Sequence, residues 1–244
     1  MKAMIFAAGM GTRLRPLTDN IPKALVRVGG IPLLQRIILK LTASGFNDIT
    51  INIHHRGQQI IDFLQANKNF GQHINISDER GQLLNTGGGI RHAQHFLTGD
   101  EPFLVHNVDI LTDADLKALW QHHLLQKSEA TLLVGKRQTK RYLLFDKNMN
   151  LHGWTNKQTG EIRSANLAGN YEEWAFAGIH ILSPSLFRYM NDSYWQEAFS
   201  IIDFYLNICP YTPIKGVPIC ATHWFDTGTP ETLACANSWY EQLH

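Results

Sequence analysis

The chain has 244 residues, of which 44% are hydrophobic and 18% charged, with 22 Lys and Arg against 21 Asp and Glu for a formal net charge of +1. That length supports a sizeable α/β core, and the composition excludes wholesale disorder. The balanced charge offers no global attraction to nucleic acid or a membrane surface, so any polyanion site must be local.

The first half alternates strand-like and helix-like apolar periods. A short apolar strand over 2–7 runs into Ala8-Gly9. A helix follows over 33–41, where Leu33, Leu34, Ile37, Ile38 and Leu41 share a face and Pro32 suits its first position. Strands are expected over 49–53, 74–77 and 103–108, with helices over 58–65, 89–97 and 111–126. Alternation of this kind implies right-handed crossovers and a largely parallel sheet flanked by helices, a Rossmann-like α/β class. From about residue 129 the rhythm changes. Segments 130–135, 142–146 and 151–154 read as antiparallel strands, 155–173 as a mobile loop, and 175–182 as another strand. Ser183-Pro184 starts a helix, 217–225 reads as one last strand, and Thr229-Pro230-Glu231 opens a closing helix. No linker divides the chain, so one domain over 1–244 is expected, with a parallel first half to about 128 and an added antiparallel lobe after it.

Three clusters sit at the carboxyl ends of predicted strands, where sheets of this class bind ligands. The first is Ala8-Gly9-Met10-Gly11-Thr12-Arg13, followed by Pro22-Lys23. It fits neither a Walker A loop nor the dinucleotide fingerprint, since Leu14 stands at the third glycine position. What remains is a glycine turn whose N–H groups approach a phosphate, with Arg13 to clamp it and Lys23 as a further charge. The second cluster is Asn85-Thr86-Gly87-Gly88-Gly89, where three glycines imply close approach by a flat or bulky ligand. The third is a repeated pattern, an apolar strand ending in Asp: His106-Asn107-Val108-Asp109 and Trp224-Phe225-Asp226. Two such carboxylates beside a phosphate cradle suit Mg²⁺. His92 and His95 lack a third ligand, and they, His54-His55 and His122-His123 read as surface residues.

The three cysteines, Cys209, Cys220 and Cys235, are odd in number and without metal-type spacing, so they read as reduced thiols. No run has membrane-span length, and the start MKAMIF breaks at once into the glycine turn rather than a signal-peptide pattern. A soluble cytoplasmic monomer or small homo-oligomer is expected, with no nucleic-acid or membrane partner.

In FAAGMGTRLRPLTDNIPKAL, and in LLNTGGGI, HNVD, FAGIHILSP and WFDTGTPETL, the chain resembles the sugar-phosphate nucleotidyltransferase family over nearly its whole length. The resemblance implies the nucleotide-diphospho-sugar transferase fold, and transfer from a nucleoside triphosphate to a sugar 1-phosphate with release of pyrophosphate. It implies Arg13 at the leaving pyrophosphate, Lys23 at the α-phosphate or sugar phosphate, and Asp109 with Asp226 at Mg²⁺. Ala8, Gly9, Gly11, Thr12, Gln82 and Gly87 would surround the nucleotide, and Asn156 and Gly178 the sugar. The TGGG turn and the WFD-x-GT ending, with no C-terminal repeat domain expected, are most similar to members acting on N-acetylmuramate 1-phosphate with UTP in peptidoglycan recycling. The resemblance also leaves open mannose-1-phosphate guanylyl transfer, hexose-1-phosphate uridylyl or thymidylyl transfer, phosphocholine cytidylyl transfer, and a silent nucleotide-sugar sensor. Val108 replaces the small residue usual before the metal Asp, and Ala24 the Pro common after Pro-Lys. The family's Glu-Lys-Pro sugar element is not evident; Asn156-Lys157 or Glu161 would stand in for it. A muramic carboxylate would pair with Lys157 or Arg163.

Overall fold

The computed structural model describes residues 1–164, 169–221 and 223–242. β1 (Lys2–Phe6) is apolar throughout its middle because it is covered on both faces, and Ala3, Met4 and Ile5 are fully buried. After it, β2 (Arg27–Val28) and β3 (Ile31–Pro32) make a small hairpin that leads into α1 (Leu33–Ala43). Leu33, Leu34, Ile37, Ile38 and Leu41 of α1 are buried at the helical period. Next come β4 (Asp48–Ile53), α2 (Gly57–Ala66) and β5 (His73–Asp78), then α3 (Asn85–His92) and α4 (Gln94–Leu97). β6 (Phe103–Asn107), β7 (Ile110–Thr112) and α5 (Leu116–Gln126) close the first half. β1 pairs in parallel with β4 on one side and β6 on the other, and β4 with β5.

The second half supplies β8 (Ala130–Gly135), β9 (Arg141–Phe145), β10 (Leu151–Asn156), β11 (Glu161–Ser164) and the long β12 (Glu172–Leu182). It ends with α6 (Phe187–Met190), α7 (Ile201–Ile208), β13 (Ile214–Pro218), β14 (Trp224–Asp226) and α8 (Pro230–Glu241). β12 ties the halves together. Its last four residues run antiparallel to β6, and its first three pair with β9. The sheet order is β11-β10-β9-β12-β6-β1-β4-β5, with β8 on β12 and β13 on β8. Side chains alternate across it: Ala3 and Ile5 enter the core with α1 and α2, while Met4 enters the one holding Phe103, Val105, Phe204 and Tyr205.

Several boundaries differ from the sequence reading. Residues 217–225 form two strands rather than one. β13 follows β8, whereas β14 leaves to pair with β7, so 110–112 are strand as well. α5 therefore starts only at Leu116, where Asp115 Oδ1 accepts from the Ala118 N–H at 2.9 Å. The TGGG stretch is the first part of α3, not a loop before it. Within 155–173, expected as a loop, Asn156 and Glu161 are ladder partners of a β10–β11 hairpin; 165–168 lie outside the described residues. His123, read as a surface residue, is 3% exposed, its Nδ1 bonded to Thr131 Oγ1 at 2.8 Å and its Nε2 to Ser183 Oγ at 3.2 Å. His92 and His95 are exposed. α7 escaped the sequence reading, although Pro210 stands two residues past its end; it starts from Ser200, whose Oγ accepts from the Ile202 N–H.

Candidate active site

The glycine turn is built where β1 stops pairing. The N–H groups of Ala7 and Ala8 both donate to Asn52 Oδ1, at 2.7 and 3.3 Å, so β4 pins the start of the turn. Asn52 Nδ2 in turn donates to Glu79 Oε1 at 2.8 Å. Glu79 is 3% exposed, and burial raises its pKa against the opposing pull of the Asn52 and Leu84 N–H donors.

The two glycines have different reasons. Gly11 has φ +66°, and a Cβ there would lie 2.9 Å from Thr18 Cγ2, so the fold itself requires glycine. Gly9 has no neighbour within 4 Å of an added Cβ and opens onto the cavity. Nothing in the protein accounts for its bareness, which suits the approach of a ligand. Thr12, Arg13 and Leu14 form a short 3-10 turn anchored by the buried Leu14, leaving Thr12 and Arg13 exposed. Arg15 is also exposed and pairs with Asp19 at the surface, at 3.5 Å.

Lys23 and Asp109 meet across this turn. Lys23 is buried in the 3-10 turn after Pro22, and its Nζ forms an ion pair with Asp109 Oδ2. Asp109 stands in the two-residue step between β6 and β7. Its carbonyl accepts from both the N–H and the Oγ1 of Thr227, at 2.8 and 2.9 Å. Asp226 is the ladder partner of Ile110, so β7 and β14 bring the two carboxylate-bearing strand ends side by side. The Arg13 guanidinium joins them: a Cβ on Gly228 would lie 2.6 Å from Arg13 Nη2 and 2.7 Å from Asp226 Oδ1. Gly228 is bare because those two groups occupy its space.

A cavity of about 460 Å³ holds Ala8, Gly9, Lys23 and Asp109 together with Asn52, Glu79 and Ser200. Val108 also lines it, where the family resemblance leads one to expect a smaller side chain. Gln82 does not line this cavity. It faces a neighbouring one of about 530 Å³, which shares Glu79 with the first. The TGGG glycines are crowded by the chain itself. An added Cβ would meet the Phe199 ring at 2.3 Å from Gly87 and the Glu197 carbonyl at 2.2 Å from Gly88. The Gly87 N–H already donates to the Phe199 carbonyl at 2.8 Å.

A third cavity, of about 620 Å³, adjoins the first through Ser200 and contains Asn156. Asn156 Oδ1 accepts from the Gln158 N–H at 3.0 Å. Gly178 lies against β6 and β7: it has φ +76°, sits where β12 loses register with β8, and would carry a Cβ 2.8 Å from Ile110 Cγ1 and 3.0 Å from Asn107 Nδ2. Arg137 and Arg141 line this third cavity and were not singled out from the sequence, nor were Asn52 and Glu79. Only Asn52 left a trace there, as a polar residue inside the apolar run Ile49–Ile53. Burial lowers the pKa of Arg137, opposed by the charge of Asp226. His106, three residues before Asp109, is fully buried and pushed down to about 4, so it is neutral.

Comparison with known proteins gives the family and the fold. The family model described as nucleotidyl transferase matches residues 2–242. N-acetylmuramate alpha-1-phosphate uridylyltransferase of Neisseria meningitidis is 47% identical over 121 residues, covering 50% of this chain and 52% of that protein. Its counterpart in Caulobacter vibrioides is 44% identical over 109 residues, covering 44% and 45%. Mannose-1-phosphate guanyltransferase of Aspergillus fumigatus is 29% identical over 248 residues, covering 98% of this chain and 64% of its own length. The chain thus spans about half the length of the first curated relatives it matches. Among solved structures, HddC from Yersinia pseudotuberculosis complexed with GMP-PN superposes with a TM-score of 0.77 at 23% identity, covering 98% and 99% of the two chains. UDP-glucose pyrophosphorylase complexed with UDP-glucose gives 0.79 at 19% identity over 100% and 99%; both likenesses are of fold alone. With the glycine turn, Pro-Lys and both strand-end aspartates inside a match over residues 2–242, the chain belongs to the nucleotidyl transferase family.

Proposed function

We propose that this protein joins a sugar 1-phosphate to a nucleoside triphosphate and releases pyrophosphate, with N-acetylmuramate 1-phosphate and UTP as substrates and UDP-N-acetylmuramate as product. The observation that carries this reading is the convergence of Lys23, Asp109 and the open backbone of Gly9 on one cavity. The relatives in Neisseria and Caulobacter support the choice of sugar and base. Such a reaction serves cell-wall recycling and belongs to the cytoplasm, where nucleoside triphosphates are available. No helix among the described residues is long and apolar enough to cross a membrane.

In this reaction an oxygen of the sugar phosphate forms a bond to the α-phosphorus, the bond from that phosphorus to the bridging oxygen breaks, and pyrophosphate leaves. A phosphate monoester has a second pKa of about 6, so the nucleophile is already dianionic near neutral pH and needs no general base. What the protein must supply is position and positive charge. Lys23 offers a cation at the inner wall, and Arg13, resting over Gly228, one at the rim.

The donor set suits Mg²⁺. Asp109 and Asp226 present hard oxygens from neighbouring strand ends, and among the described residues no group of three His, Cys, Asp or Glu forms a complete metal site. Mg²⁺ is commonly held by one or two carboxylates and completed by substrate phosphate and water. When bound it would neutralise phosphate charge. Lys23, paired with Asp109, stands beside these carboxylates and would offer its charge to substrate phosphate.

The test is pyrophosphate release with UTP, GTP, dTTP and CTP against N-acetylmuramate 1-phosphate, mannose 1-phosphate, glucose 1-phosphate and phosphocholine, with and without Mg²⁺. UTP with N-acetylmuramate 1-phosphate is expected to dominate. Guanylyl transfer to mannose 1-phosphate is the second reading, favoured by the likeness over 98% of the chain. Release from no pair, as from a silent sensor, or release that survives Asp109→Ala, overturns the mechanism.

A further inference from the structure

The third cavity is more cationic than a neutral sugar needs. Arg137, Arg141 and Arg163 line it against two carboxylates, Glu161 and Asp203. Arg163 consumes both. Its Nη1 lies 2.5 Å from Asp203 Oδ1 and its guanidinium stacks on Trp154 at 4.1 Å; its Nε, 3.5 Å from Glu161 Oε1, makes an ion-pair contact but, like the Arg137 Nε, has no hydrogen-bond acceptor. It acts as a strut of the cavity wall. Lys157 is taken too, in an ion pair with Glu173. Neither cation that the sequence offered for a sugar carboxylate is therefore free.

Arg137 and Arg141 remain. Arg141 opens β9 opposite Asn156 in the ladder, is exposed, and has no hydrogen-bond or ion-pair partner among the described residues. Arg137 stacks on Trp224 at 4.1 Å and donates from Nη2 to the Phe176 carbonyl at 2.8 Å, but its Nε is buried without an acceptor. A buried N–H left unpaired is costly, and a guanidinium fork matches a planar carboxylate better than it does a hydroxyl. Position agrees with this chemistry. The cavity meets the one holding Lys23 and Asp109 at Ser200, and Arg137 rests on the strand that ends in Asp226. A sugar with its 1-phosphate at the aspartates would extend its ring substituents toward the two arginines.

We propose that Arg137 and Arg141 select a sugar 1-phosphate that bears a carboxylate on the sugar, and that they bind that carboxylate. This rests on the transferase reading above but is tested by binding, without turnover. Affinities of N-acetylmuramate 1-phosphate, its carboxyl methyl ester and N-acetylglucosamine 1-phosphate are measured by calorimetry in the wild-type protein, Arg141→Ala, Arg141→Lys and Arg137→Ala, each checked for folding by its melting transition. The wild type is expected to bind the free acid at least tenfold more tightly than the ester or the unsubstituted sugar. Arg141→Ala should bring that ratio near one, and Arg141→Lys should restore part of it. Equal affinities in the wild type, or an Arg141→Ala variant that weakens acid and ester alike, overturn the proposal. Since Arg141 is exposed, its variants carry the test even if Arg137→Ala fails to fold. A preserved acid preference in a protein that releases no pyrophosphate would sink the transferase reading and leave this one standing.

Discussion

Lys23 and Asp109, 86 residues apart, neutralise each other at the inner wall of the cavity, each with less than a fifth of its side chain exposed. Removing one partner leaves the other charged and largely buried, at a cost of about 3–5 kcal/mol. Removing both leaves no orphan. Lys23→Met and Asp109→Leu are each expected to lower the free energy of unfolding in urea, and the double variant to be more stable than either. Pyrophosphate release should fall by about 10²–10³-fold in each single variant, the usual scale for losing one charge-stabilising group.

Gly9 and Gly228 separate function from folding. Gly9→Ala adds a methyl into open space at ordinary backbone angles, so stability should stay within about 0.5 kcal/mol while kcat/KM drops at least ~10-fold through lost access for phosphate. Gly228→Ala must instead displace Arg13 or Asp226, from which the new carbon would lie 2.6 and 2.7 Å. Misplacement by about 1 Å can cost ~10²-fold in rate. Steady-state kinetics and melting of both variants check the pair. A Gly9→Ala protein of normal activity would remove that glycine from the site.

Three buried histidines set the acid limit of the fold. Burial pushes His106 and His123 down to about 4 and His180 down to about 3. His180 Nδ1 and the Tyr205 hydroxyl are hydrogen-bonded at 2.8 Å deep in the core. In the unfolded chain each imidazole takes up a proton near its ordinary value of 6.5, which the folded chain refuses. Stability is therefore complete above about pH 6.5 and declines as pH falls, by up to about 1.4 kcal/mol per pH unit for each histidine. Between pH 6.5 and 5 this precedes the titration of ordinary carboxylates. Urea denaturation across that window should show the decline, with a shallower slope in His123→Gln.

The glycine turn was legible in the sequence because its demands are local: Gly11 needs a positive φ, and Arg13 and Lys23 lie within fourteen residues of Gly9. Asp109 and Asp226 were legible because each ends an apolar run. The alternating first half gave the parallel sheet for the same reason. The rest depended on distant partners. The TGGG glycines read as a place for a ligand, but Phe199 and Glu197, more than a hundred residues later, fill the space beside Gly87 and Gly88. The change of partner that splits 217–225 into β13 and β14 rests on β7, equally remote. Arg137 and Arg141 carry no local signal, because what sets them apart is that Arg163, distant in sequence, pairs with both acidic neighbours.

Asn52 and Glu79 give the last prediction, because they line the cavity and also hold the turn, Asn52 directly and Glu79 through Asn52. Glu79 Oε1 accepts one amide hydrogen of Asn52, which leaves Asn52 Oδ1 facing the N–H groups of Ala7 and Ala8. Asn52→Leu removes the acceptor of two buried donors and should cost about 1–3 kcal/mol or more. Glu79→Gln keeps an acceptor for Asn52 while removing a carboxyl whose pKa burial has raised. Its amide would then face the Leu84 N–H, 3.4 Å from Glu79 Oε2, so stability should fall only slightly and the KM for the triphosphate stay unchanged, whereas Glu79→Leu should raise that KM and lower stability together. Kinetics at several triphosphate concentrations, read beside urea denaturation, distinguish a positioning role from a contact with substrate. A Glu79→Gln protein of normal stability but poor triphosphate binding would place the carboxylate itself in the site.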